Sequence, residues 1–242
     1  MRYDGHPILH SCQIAEMVVP YGMPVSGTVR KNVLDIGEYG LGRMCNSLEL
    51  GCDCLGSIRY MDAWVHAPDG TPKVIKNAIC IHEEDTGVLW KHTGGGHTEV
   101  RRGRRLVVSC FATVGNYEYG SYFYFYMDGT FECEVKATGI LSTGAVPGKE
   151  MLAERPDANN YGTTVAQGVF GAVHQHLFIA RLDLAIDSLP GHEGNTVFEC
   201  DTVVPDDNPF GNAWSVQKTP LSVECGRTRD QAVQVLSVSD CF

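Results

Sequence analysis

The sequence predicts an all-β chain of sandwich type. Three observations carry that expectation: many short β-patterned runs, 27 glycines that punctuate them, and almost no stretch with helical periodicity. The strongest run is Arg104–Ala137, RRLVVSCFATVGNYEYGSYFYFYMDGTFECEVKA, which reads as a three-strand meander. Leu106–Val114 is rich in the apolar and β-branched residues that fit a pleated surface. The next two runs flank Asp128-Gly129, a two-residue hairpin signal in which the glycine supplies a positive φ. Alternation places Tyr122, Tyr124 and Tyr126 on one face of the middle strand and Phe123 and Phe125 on the other. Both faces are bulky, so this strand is expected inside a layered structure.

The remaining elements follow the same punctuation. Ile14–Pro20 and Val29–Leu34 are short apolar runs separated by prolines and glycines. Residues 35–58 are glycine-rich, and only Leu41–Leu50 has room for a helical turn or two. Ile58–Val65 and Val74–His82 read as strands around Pro68-Asp69-Gly70, and Gly87–Lys91 as another short strand. His92–Glu99, HTGGGHTE, reads as a flexible loop and Gly148–Gly168 as an exposed one. Val169–Leu184 is the second strongly patterned strand region, followed by alternating runs near Thr196–Val204 and Ala213–Val223. No linker or repeat divides the chain, so residues 1–242 are expected to form part of a single domain. The tail, Gln231–Phe242, stops within an apolar alternating run, which reads as a piece of something larger.

Composition excludes several function classes. A net charge of −10 opposes nucleic-acid binding, and the basic cluster Arg101–Arg105 reads as a solvated strand entry. No run reaches the roughly 18–20 apolar residues of a membrane helix. MRYDGHPILHSCQ lacks the apolar core of a secretion signal. The ten cysteines show no repeated CxxC spacing of a zinc ribbon.

A few residues carry chemistry. His174 and His176 lie two apart in a strand pattern, so alternation puts both imidazoles on one face, close enough to share a metal ion. Imidazole nitrogens suit Cu(II) and zinc equally. Asp35 reads as an acid at the turn before Gly37, and Cys54 and Cys80 read as small buried apolar groups.

Thr113-Val114-Gly115-Asn116-Tyr117-Glu118-Tyr119 resembles the T-x-x-N-Y-[DE]-Y signature of copper-containing amine oxidases. The resemblance implies that Tyr117 is the precursor of topaquinone, the quinone made from this tyrosine by copper and O2. His174 and His176 match two of the family's three copper ligands in kind and order. The family's third histidine lies further downstream, beyond residue 242, so the chain by itself is expected to be inactive. Asp35, in Leu34-Asp35-Ile36-Gly37-Glu38-Tyr39-Gly40, matches the catalytic base, a role that burial suits by raising its pKa. Tyr21 matches the tyrosine that hydrogen-bonds the quinone oxygen, although Met23 stands where relatives often carry an acid. Asn116 matches the asparagine that packs over the quinone ring. Ser47–Gly56 and Asn77–Asp85 match the family's two disulfide-bearing strings, which implies a Cys54–Cys80 bond. Asp183 matches a ligand of a peripheral calcium- or manganese-type site whose other ligands lie beyond the C-terminus.

The resemblance runs from Tyr21 to at least Asp187. It implies the N-terminal portion of the family's large β-sandwich catalytic domain, the supersandwich, without the small domains that precede it or the rest of the sandwich. The DIGEYG and GCDCLG strings look most like fungal and yeast methylamine-type oxidases. The implied reaction converts a primary amine, O2 and water to aldehyde, ammonia and hydrogen peroxide, in a homodimer of peroxisomal or cytoplasmic location. Two alternatives stand beside it. One is a non-catalytic β-sandwich binding module that uses the Tyr122–Tyr126 face; the other is a zinc or copper enzyme that uses His174 and His176 without a quinone.

Overall fold

The computed structural model describes residues 2–21, 33–145, 162–185, 198–203, 206 and 215–220. In chain order the described strands are β1 (Arg2–Tyr3), β2 (His6–Pro7), β3 (Leu9–Val19), β4 (Val33–Leu34), β5 (Arg59–His66), β6 (Pro72–Gly94), β7 (His97–Val114), β8 (Tyr117–Tyr126), β9 (Phe131–Gly139), β10 (Thr143–Ala145), β11 (Gly162–Ala166), β12 (Val169–Ala172), β13 (Leu177–Leu184), β14 (Phe198–Val203) and β15 (Ser215–Pro220). Leu41–Met44 forms the one described helical turn, a 3-10 turn where only a turn or two was expected. The all-β expectation is borne out. The chain divides into two compact units: Met1–Ile14 with Ala180–Phe242, and Ala15–Ile179.

The larger unit is built on an antiparallel five-stranded sheet in the order β5-β6-β7-β8-β9. Sequential strands are neighbours throughout, so each is joined by a hairpin, as the meander pattern predicted. β8 sits between β7 and β9, which is why both its faces carry large side chains. The tyrosine face is closed from within the sheet. Arg105 lies over the Tyr124 ring at 3.8 Å and Lys136 over Tyr122 at 4.0 Å, while the Tyr124 and Tyr126 hydroxyls donate to Glu134 and Glu132. That arrangement removes the open stacking face on which the binding-module alternative relied.

Several local expectations change. Val74–His82 and Gly87–Lys91 are one strand, β6, with irregularities at Asp85/Gly87 and Val88/Trp90. His92–Glu99 is not a loose loop, because pairing continues to Gly94↔His97. Gly95 and Gly96 take φ of 58° and 76°, the two positive values a tight two-residue turn needs. The basic cluster is paired across this hairpin, Arg102 to Asp85, Arg104 to Glu83 and Arg105 to Glu84. At Asp128-Gly129 the turn is longer than two residues: Gly129 N–H donates to Tyr126 and Tyr126 N–H to Thr130, with Gly129 at φ 87°. Gly162–Ala166, expected in a loop, is a strand paired to β12 through a turn at Gln167-Gly168. Three successive β-branched residues, Thr163, Thr164 and Val165, favour that state.

β6 leaves β7 at Ser109, and the glycine-rich segment after Asp35 takes its place. Cys45 bridges Ala112, Asn46 N–H donates to Phe111 at 2.8 Å, and Leu48 N–H donates to Asn77 at 3.1 Å. Beneath this splice Leu48, Cys54 and Cys80 are buried together, with Ile58, Tyr60 and Phe111 against them. Burial of these side chains outweighs the irregular backbone of the segment, at about 25 cal/mol per Å² of apolar surface. The smaller unit holds the β1–β2 and β14–β15 ladders and an Ala185 N–H bond to Ile8. His192 and the Gln231–Phe242 tail lie outside the described residues.

Two glycines separate backbone strain from crowding. Gly129 and Gly139 both hold positive φ, 87° and 108°. An added Cβ at Gly129 meets nothing within 4 Å, whereas at Gly139 it meets the Asn116 carbonyl oxygen, Glu118 N at 2.9 Å and Tyr117 Cα at 3.0 Å. Gly129→Ala is therefore expected to cost about 1 kcal/mol and Gly139→Ala at least about 3 kcal/mol, measured by urea unfolding. Equal losses would show that the Gly139 contact relaxes freely.

Candidate active site

The β7–β8 turn is the first element of the site. Gly115 and Asn116 are its two residues, and Gly115 carries the positive φ of 59° at the first position. The turn delivers Tyr117 and Tyr119 onto one face of β8. On the opposite register, Thr113 Oγ1 donates its single proton to Glu118 at 2.8 Å and lies 3.0 Å from Asn46 Oδ1, while Asn46 Nδ2 donates to the same Glu118 oxygen, which clamps the base of the turn.

His174 and His176 face these tyrosines. They do not lie inside one continuous strand as expected, because Val173–His176 separates β12 from β13. The rings nonetheless converge, with centroids 5.0 Å apart. Side-chain bonds explain the break. His174 Nδ1 donates to the Ala172 carbonyl at 2.9 Å, and the residue bridges Tyr21, whose ring stacks on the imidazole at 5.0 Å. With its proton on Nδ1, His174 presents the Nε2 lone pair to the Tyr117 hydroxyl, 3.0 Å away. His176 uses Nδ1 toward Tyr119 Oη at 2.9 Å and keeps Nε2 for another partner. Burial, then the charge of His174, lowers the His176 pKa. A neutral imidazole is the form that binds metal.

Asp35 enters from the turn after β4. It is 1% exposed, held by its N–H to the Met17 carbonyl and by Leu41 N–H on its own carbonyl. Glu16 anchors the same turn through the N–H groups of Met17, Ile36 and Gly37, which lower its own pKa. Burial raises the Asp35 pKa; the Tyr119 hydroxyl opposes this, and the Glu16 charge adds to it. One carboxyl oxygen, Oδ2, is buried with no partner among the described residues. An orphaned acceptor of this kind is costly unless a ligand satisfies it. It belongs to the wall of a cavity of about 230 Å³ that Tyr21, Tyr39, Asn116, Tyr117 and Tyr119 also line.

Tyr119 is the residue that motif reading passed over. It is 1% exposed and bonds both Asp35 and His176. A carboxylate only accepts, so the single phenolic proton goes to Asp35, and the phenolic oxygen accepts from His176 Nδ1–H. The signal was present in the sequence as the i+2 spacing that puts Tyr119 on the face of Tyr117.

Tyr21, Asp35, Asn116, Tyr117, His174 and His176 are thus gathered in one place. The two Nε2 lone pairs, that of His174 now facing the Tyr117 hydroxyl, fit a nitrogen-preferring metal such as Cu(II), although no group of three metal-ligating side chains assembles among the described residues. Asp183 is exposed on β13. Cys54 and Cys80 stand as thiols, hydrogen-bonded to each other in the buried cluster.

A family profile described as copper amine oxidase, enzyme domain, matches residues 1–238. The chain is 50% identical over 229 residues to a histamine oxidase of Arthrobacter globiformis, covering 93% of this chain and 32% of that protein. It is 42% identical over 233 residues to a peroxisomal primary amine oxidase of Pichia angusta, covering 90% and 32%. The crystal structure of a copper-containing benzylamine oxidase from Hansenula polymorpha superposes with a TM-score of 0.75 at 35% identity, covering 91% of this chain and 34% of that one. The chain therefore spans about a third of the length of these relatives.

The raised Asp35 pKa has a stability consequence. A carboxyl whose folded pKa exceeds its ordinary value of 3.8 favours folding below that value, and the contribution is lost as pH rises through the folded pKa. Asp35→Asn is expected to raise Tm relative to wild type at pH 8, with the difference vanishing near pH 3.5. Thermal melts at both pH values check it; a variant destabilised equally at both would mean that the carboxyl is not strained by burial.

Proposed function

The chain belongs to the copper amine oxidase family, and from that premise we propose that the full-length protein oxidises primary amines to aldehydes, releasing ammonia and hydrogen peroxide and consuming O2 and water. The observation that carries this reading is the placement of Tyr117 between two converging imidazoles and a buried, half-satisfied carboxylate.

Copper and a quinone made from Tyr117 supply, when present, the two-electron oxidation and the return of electrons to O2. His174 and His176 would hold the copper through their Nε2 atoms, each oriented by a bond at Nδ1. Tyr21 packs flat on His174 and fixes that ring. Asn116, at the tip of the turn, lines the cavity beside Tyr117 and limits how that ring swings. Asp35 takes the proton from the carbon that bears the amine. Burial keeps its basicity up, and the Tyr119 hydroxyl holds its carboxyl in place while the buried Oδ2 has no partner among the described residues to compete for a proton. Thr113, Glu118 and Asn46 keep the turn rigid, so the reacting groups stay in register.

Contact between the Cys54 and Cys80 thiols supports a disulfide there. Exposed Val88, Leu89, Trp90 and Val100 on the β6–β7 hairpin support a homodimer that covers them. Asp183, by its exposure, suits a peripheral calcium or manganese ion, and the peroxisomal relatives in Pichia angusta and tobacco support a peroxisomal or cytoplasmic enzyme.

Phenylhydrazine titration of the copper-loaded full-length protein is the direct test. A coloured adduct is expected in wild type and none in Tyr117→Phe, with amine oxidation reduced by at least about 10³-fold. No adduct in wild type would turn the reading toward a zinc or copper enzyme without a quinone. The acidic limb of the kcat/KM profile is expected above pH 3.8, because activity falls as Asp35 is protonated and its pKa is raised. A limb at or below that value would remove Asp35 as the base.

A further inference from the structure

Cys45 and Cys110 form a second thiol pair, away from the cavity, that the amine chemistry leaves unused. Cys45 follows the 3-10 turn and bridges Ala112 on the edge of β7 that β6 has left. Cys110 stands two residues before Ala112, so both side chains lie on one face of the ladder, a single diagonal step apart. The thiols are in hydrogen-bond contact, and both residues are half-buried rather than sealed.

The pair is also asymmetric. The hydrogen bond from Cys110 pulls the Cys45 thiol down to about 7, against the opposing effect of burial. The same bond, followed by burial, pushes Cys110 up. Cys45 is therefore the more readily ionised of the two, with the Cys110 thiol held beside it in its protonated form. That is the arrangement of an attacking and a resolving cysteine. The Cys54–Cys80 pair differs, because Cys80 is fully buried and its thiol is pushed up to about 12, mainly by burial.

We propose that Cys45 and Cys110 are a peroxide-responsive site that closes to a disulfide and pins the segment after Asp35 to the strand that leads into the Tyr117 turn. The Cys45 thiolate attacks one oxygen of hydrogen peroxide, forming an S–O bond and breaking the O–O bond. This leaves Cys45 sulfenic acid and hydroxide, which takes up a proton to become water. The Cys110 sulfur then attacks the Cys45 sulfur, an S–S bond forms, the S–O bond breaks, and the second oxygen leaves as water. Two thiols lose two electrons and two protons, and one peroxide becomes two waters. Peroxide is named here as an external reagent, so the proposal stands apart from the amine reaction that would also generate it.

The location gives the bond a structural effect. Cys45 is held to β7 by one isolated bridge and the neighbouring Asn46 N–H bond to Phe111, so the segment has freedom to adjust to disulfide geometry. The side chain of Asn46 already reaches Thr113 and Glu118 at the base of the catalytic turn. A covalent link at Cys45 shortens the connection between Asp35 and that turn.

The test treats full-length protein with a tenfold excess of hydrogen peroxide, caps remaining thiols, digests the protein and assigns linked cysteines by fragment-ion mass spectrometry. The expected result is a Cys45–Cys110 linked peptide that vanishes on reduction, together with a Tm raised by several degrees in the oxidised protein. Cys110→Ser is expected to stop at a Cys45 sulfenic acid trapped by dimedone, and Cys45→Ser to leave Cys110 reduced. The proposal is overturned if Cys45 and Cys110 stay reduced while other cysteines oxidise, or if Cys110 oxidises as readily in Cys45→Ser as in wild type. Dimedone trapping in intact wild type with no linked peptide would overturn it as well, because Cys110 would then not resolve the sulfenic acid.

Discussion

The antiparallel pairing of β7 with β8 is the constraint on which the site depends. Its register, Val114↔Tyr117 and Ala112↔Tyr119, sets both tyrosines on one face, and a slip of one residue would turn both away. The Gly115-Asn116 turn holds that register. The partners of the tyrosines come from distant stretches, His174 and His176 from the break between β12 and β13 and Asp35 from the turn after β4. The glycine-rich segment that follows Asp35 is stitched to the edge of β7, so Asp35 and Tyr117 are referenced to the same strand.

The polar groups packed around the site have hydrogen-bond partners. Each imidazole spends one nitrogen on an orienting bond, Glu16 is satisfied by three backbone N–H groups, and Glu118 is held by Thr113 and Asn46. Against that background the unpartnered Oδ2 of Asp35 stands out. Buried acceptors are normally satisfied, so the exception marks the point at which the chain is organised for something other than its own stability.

The mistakes of sequence reading share one cause. The glycines of His92–Glu99 suggest a loop, yet Gly95 and Gly96 only turn the chain, and cross-strand pairing carries β6 and β7 to the turn on either side. The apolar pattern of Val169–Leu184 suggests that His174 and His176 lie inside a strand, yet His174 trades ladder pairing for side-chain bonds. In each case tertiary partners overrode a local propensity.

The sequence by itself determined the all-β class, the β7–β8–β9 meander, and Tyr117 with the residues that the fold gathers around it, of which Tyr21, Asp35 and Asn116 line the cavity with it and His174 and His176 contact its ring. Alternation and turn chemistry are local, and a motif is a string of adjacent letters, so both are legible without coordinates. Only the tertiary structure decided that Tyr119 links the carboxylate to an imidazole, that Asp35 buries one oxygen without a partner among the described residues, and that Cys45 meets Cys110 across a splice in the sheet. Those facts depend on the approach of segments dozens of residues apart, and burial, hydrogen-bond partners and pKa shifts exist only once that approach is made.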